Sequence, residues 1–126
     1  MKASELRIGN KIMDISGFIG SVSSIHDDET VKLINDEGVL LDWMRADLFL
    51  PIPLTEEILL KCGFEPFGSK MNLWGNKKCY IKVKNWLVYK FELLGCYIYL
   101  DYDLKHLHQL QNLYFSLTNE ELKIKL

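Results

Sequence analysis

Apolar and polar residues along this chain change their spacing twice. Up to residue 53 they alternate in short runs, the period of half-buried strands. Residues 10–15 form one run. In residues 18–26, Phe18, Gly20 and Val22 alternate with Ile19, Ser21 and Ser23. Residues 30–34 are β-branched and alternating, and residues 39–43 form a fourth run. Ser16-Gly17, Asp27-Asp28-Glu29 and Asn35-Asp36-Glu37-Gly38 separate them as turns. Several short strands at this spacing predict a small barrel, because closure removes the exposed edges of a short sheet.

The string Arg7-Ile8-Gly9-Asn10-Lys11-Ile12, followed by Gly20-Ser21-Val22, resembles the opening of an SH3-like barrel. Pro51-Ile52-Pro53 then marks a joint, since two prolines hold the chain extended and withhold two backbone donors. The reading is therefore two parts, 1–53 and 54–126. Thr55 is placed as the N-cap of a short helix over 56–62, with Glu56 and Glu57 in its first turn. Leu54 can staple onto Leu59, and Gly63 supplies the left-handed position after the helix.

Residues 64–102 return to alternation and predict a three- or four-stranded antiparallel meander. Trp74-Gly75-Asn76-Lys77 reads as a hairpin turn, and Gly95 divides the last two strands. Beyond it Leu104, Leu107, Leu110, Leu113, Tyr114 and Leu117 share one side of a terminal helix, with Asp103 as N-cap. Thr118-Asn119-Glu120-Glu121 has capping-box spacing and predicts one more helical turn, and residues 122–126 alternate as a short strand. The fold class expected is α+β: an SH3-like small β-barrel, then an antiparallel sheet packed with a C-terminal amphipathic helix.

Composition narrows the function classes. The 126 residues are 48% hydrophobic and 25% charged, as in an ordinary globular domain. A net charge of −2 argues against a basic coat for duplex DNA. The first residues lack an apolar signal core, so no secretory signal is expected, and the apolar stretches, short and broken by Pro51 and Pro53, predict no membrane span. Cys62, Cys79 and Cys96 include no C-x-x-C pair and read as small buried hydrophobes. His106 and His108, two apart, would diverge by about 200° on a helix, and His26 sits in an acidic turn, so no metal site is expected. Asp101 and Asp103 read as a strand end and a helix cap rather than an acid–base pair. Without a nucleophile motif or phosphate loop, no enzyme activity and no cofactor are expected.

Two surfaces remain as candidates. Residues 1–53 carry five Lys/Arg against nine Asp/Glu, whereas residues 66–100 carry six lysines and one acid. Aromatics interleave with those lysines, and rings that stack on bases beside phosphate-neutralising ammonium groups are what a single-stranded nucleic acid platform requires. Lys78, Tyr80, Lys82, Lys84 and Trp86 are the nucleic-acid candidates. The second surface is the polar side of the terminal helix, His108, Gln109, Gln111 and Asn112, with Phe115 off the leucine stripe. It is expected to face solvent and to contact a protein partner.

The opening Lys2-Ala3-Ser4-Glu5-Leu6-Arg7-Ile8-Gly9-Asn10, the joint from Pro51 to Phe64 and the ending from His108 to Thr118 resemble, in the same order, a group of short uncharacterised proteins. That group occurs in anaerobic gut bacteria, often in phage-like or mobile regions. The resemblance implies a cytoplasmic, phage-like provenance and brings no catalytic residue. The expectation is a non-enzymatic binding or accessory protein acting on an unidentified protein partner, with nucleic-acid binding as the alternative.

Overall fold

Alternation before Pro51 becomes an antiparallel four-stranded sheet in the order β1 (Lys11–Met13), β2 (Ile19–Ile25), β3 (Thr30–Ile34) and β4 (Met44–Arg45). The computed structural model describes residues 1–26, 29–66, 73–76, 79–84, 87–93 and 96–126. The sheet curls into a half-barrel. A 3-10 turn, Ala46–Leu48, follows β4, and Leu50 then bridges Met13 of β1, with N–H···O distances of 3.0 and 2.7 Å in the two directions. Ile12, Val22, Val31, Leu33 and Phe49 fill the inside with Ala3, Leu6 and Ala46.

Two of its hairpin turns use one device. Asp14 Oδ1 accepts from the N–H groups of Ser16 and Phe18, each at 2.9 Å. Asn35 Oδ1 likewise accepts from Glu37 and Val39, at 3.0 and 2.9 Å. In each, the residue three on is a left-handed glycine, Gly17 at φ 90° and Gly38 at φ 83°. This is the three-residue hairpin loop, in which a short acceptor side chain ties down the turn.

The helix expected after the joint is α1, Glu56–Lys61. The Thr55 hydroxyl accepts from the Ile58 N–H at 3.2 Å, and Leu54 and Leu59 are both buried. Gly63 takes φ 85°, which lets its N–H reach the Leu60 carbonyl and the Phe64 N–H reach that of Leu59, both at 3.0 Å. The meander that follows is five-stranded, not three- or four-stranded, in the order β5 (Glu65–Pro66), β6 (Leu73–Gly75), β7 (Cys79–Lys84), β8 (Leu87–Leu93) and β9 (Cys96–Leu104).

The last helix, α2, runs from Leu107 to Thr118. Asp103 is not its cap, because β9 continues through Leu104. The Gln109 side chain instead accepts from the His106 N–H at 3.0 Å, one arm of a capping box. Nor does Thr118 start another turn. Its hydroxyl donates to the Tyr114 carbonyl at 2.7 Å, and Asn119 takes φ 58°, so the segment closes a helix instead of opening one. The tail forms no assigned strand; Lys125 N–H donates to the Lys61 carbonyl at 3.0 Å and Leu122 is buried.

The chain divides into two compact units, residues 1–52 with 106–112 and residues 53–105 with 113–126. The first half of α2 thus belongs with the half-barrel, whereas the sequence pattern assigned the whole helix to the second part.

Candidate binding surface

The polar side of α2 is not the solvent-facing surface expected of it. His108 and Gln111 are each only 2% exposed. Gln111 Oε1 accepts from the Lys11 N–H at 2.8 Å, and its Nε2 donates to the Gly9 carbonyl at 3.1 Å. Asn112 Oδ1 accepts from Asn10 Nδ2 at 2.8 Å and from Arg7 Nε at 3.3 Å, while its Nδ2 donates to the Glu5 carbonyl at 3.2 Å. Gln109 is engaged as the helix cap, and Phe115 is half-buried. The physical reason lies in residues 5–11, the stretch from the end of a 3-10 turn to the first residue of β1, whose backbone groups lack a complete strand ladder and need partners once covered. Two amides on successive helical positions supply them.

His108 has no hydrogen bond at either ring nitrogen. It stacks on His106, with centroids 5.8 Å apart and planes 8° from parallel, because His106 precedes the helix and does not follow its rotation. Burial is the main force holding His108 below the ordinary histidine value, followed by the neighbouring His106; Glu5 opposes both and the amino terminus adds to them. At the other extreme of exposure, Asp14 is held below the usual carboxylate range first by the Ser16 hydroxyl and then by the Phe18 N–H.

A different surface emerges on the outer face of the half-barrel. Leu40 bridges Ile34, and Met44 pairs with Val31. Between those pairs lie two residues of β3, Lys32 and Leu33, against three on the facing chain, Leu41, Asp42 and Trp43. Leu41 packs on the core and donates to the Leu33 carbonyl at 2.8 Å. The extra residue resets the alternation, so Trp43 shares the outer face with Lys32 instead of following Leu41 inward. This also corrects the strand expected over 39–43, which is paired only locally before β4 begins at Met44.

The Trp43 indole is 46% exposed. Lys32 Nζ stands 5.7 Å from its ring centroid, and the His26 ring meets it edge-on at 5.9 Å. A second bulge, between Val22 and Ser24 of β2, brings Ser24 opposite Lys32 from the other side. Leu40, Met44 and Leu48 are exposed near it in the chain. An open indole with a cation on its face and apolar neighbours can stack on, and desolvate, an incoming flat or aliphatic group.

The nucleic-acid candidates fall in the second unit. Lys78 and Trp86 lie outside the described residues. Tyr80, Lys82 and Lys84 lie on β7, in register with Glu92, Lys90 and Leu87 of β8. Further across, Glu92 pairs with Tyr97 and Lys90 with Tyr99 of β9. The intervening row runs Trp74, Ile81, Phe91, Ile98, of which Trp74 and Ile81 are buried. Tyr80 with Tyr97, and Lys82 with Lys90 and Tyr99, therefore fall in the cross-strand rows on either side of that one.

Cys62 is buried, and burial pushes its thiol up to about 12, outside any nucleophilic range. Among the described residues no cluster of three His, Cys, Asp or Glu could hold a metal ion, and no helix is long and apolar enough to cross a membrane. No family model matches the chain, and no curated protein or solved structure shows significant similarity to it.

Proposed function

We propose that this is a non-enzymatic binding protein acting through protein contacts, and that its first unit is an SH3-like barrel presenting Trp43 to the partner. The barrel assignment is supported by the strand order and by the return of Leu50 to β1 after the 3-10 turn. The observation that carries the function is the bulge that turns an exposed tryptophan outward beside a lysine. Interfaces concentrate their energy in such aromatic anchors. Among the described residues Lys32 forms no ion pair. A partner segment offering an apolar side chain to Trp43 and a carboxylate to Lys32 satisfies both. The phage-like, cytoplasmic provenance rests on the three sequence blocks.

The test compares wild type with Trp43→Ala as bait in nuclease-treated extract of the source cell. A protein retained by wild type and lost by the variant, with thermal midpoints within error, supports the reading. Equal retention by both would overturn it.

Nucleic-acid binding is the second reading, favoured by the register that sets Tyr80 and Tyr97 in one cross-strand row and Lys82, Lys90 and Tyr99 in a nearby one. It requires affinity for mixed single strands that falls steeply with salt and is lost in Lys82→Glu with Lys84→Glu. Absence of binding at low salt removes it.

A further inference from the structure

The two edges of the five-stranded sheet differ in kind. β5 is two residues long and consists of Glu65 and Pro66, a charge and a proline, the features by which edges resist pairing. β9 at the opposite edge is nine residues long, and among the described residues no strand lies beyond it. Its first five positions, Cys96, Tyr97, Ile98, Tyr99 and Leu100, contain no charge, proline or glycine. Over the first four of these its pairing with β8 is regular, from Leu93↔Cys96 to Lys90↔Tyr99, and it becomes irregular beyond Tyr99. Its inner backbone groups are thus in ladder geometry with β8, and β9 stands last in the strand order.

We propose that the outer edge of β9 pairs with β9 of a second copy of this chain, antiparallel about a two-fold axis at Ile98. That axis sets Tyr97 opposite Tyr99 twice, Cys96 opposite Leu100 twice and Ile98 opposite itself. Every pair is apolar or aromatic, the combinations that stabilise adjacent strands. Asp101 and Asp103 fall beyond the paired stretch and never face another acid. In-register parallel pairing would set each aspartate beside its own copy. The self-complementary antiparallel arrangement closes as a dimer and leaves no further long edge, whereas a head-to-tail contact would propagate. It also continues the tyrosine–lysine rows across the axis, joining two five-stranded sheets into one.

The experiment is sedimentation across a concentration series, with hydrogen exchange read at the 96–100 amides. The expected result is a species of twice 14.7 kDa, with exchange in 96–100 slowing as it forms. Tyr97→Lys with Tyr99→Lys places lysines opposite one another twice in the dimer and leaves the Ile98 row untouched. That variant should remain a monomer with unchanged far-ultraviolet dichroism. A wild type that stays monomeric throughout, a dimer whose 96–100 amides exchange as in the monomer, or a folded variant that still dimerises overturns the proposal. If the variant fails to fold, the wild-type exchange series decides alone.

Discussion

Asn112 Oδ1 accepts a hydrogen bond from Asn10 Nδ2 at 2.8 Å, joining side chains 102 positions apart within the first unit. Asn10 is fully buried, so this bond and the neighbouring Gln111 contacts to Gly9 and Lys11 stand in for water. Asn112→Ala and Gln111→Ala should each cost about 1–3 kcal/mol, the penalty of stranding covered polar groups. A double-mutant cycle on Asn10 and Asn112 should return a coupling of about 0.5–3 kcal/mol. Urea titration measures both, and values near zero would mean the loop recruits water instead.

The unpartnered His108 imidazole predicts an acid-sensitive fold. Its pKa in the folded chain lies below the ordinary 6.5. The unfolded chain therefore binds its proton first as pH falls. Stability from this group is complete above 6.5, declines below that value, and levels off beneath the lowered folded value. His108→Leu removes the proton site and leaves no polar atom stranded, so its unfolding midpoint should fall less between pH 7 and 5 than that of wild type, by about the histidine's share of the linkage. Parallel curves for the two proteins would show that His108 is not the responsible group.

Within α2 the leucines differ in depth. Leu107 and Leu110 are fully buried, whereas Leu113 and Leu117 are half-buried. Truncation of either of the first two to Ala should cost about 2–5 kcal/mol, and the latter pair clearly less. Chemical denaturation of the four single variants checks the order.

The ends of α1 are tied by named residues. Thr55→Ala should cost about 1 kcal/mol through the lost bond to Ile58. At Gly63 a Cβ would meet no atom within 4 Å, so Gly63→Ala tests backbone conformation alone. At φ 85° it should cost about 1–2 kcal/mol. A neutral result at Gly63 would mean the turn relaxes to a right-handed form.

What could be read from the sequence was local. The Thr55 cap, the Gly63 stop, the Ser16-Gly17 and Asn35 turns and the alternation of β2 and β3 each depend on residues within about four positions of one another, where propensity and short hydrogen bonds decide, although Asp14, read as strand, proved to be the side chain that ties the first turn. The leucine stripe of α2 was legible for the same reason, although its start was set too early because β9 runs on through Leu104. What tertiary structure alone decided was the fate of polar and aromatic side chains. A row of His, Gln and Asn on a helix has the same pattern whether it meets water or a backbone loop, and only the approach of residues 5–11 turned Gln111 and Asn112 into internal partners. Trp43 reads as one more apolar strand residue until a single extra residue against β3 reverses its side. Alternation is counted along one strand, but a bulge is a mismatch between two, so its effect exists only once the strands have paired.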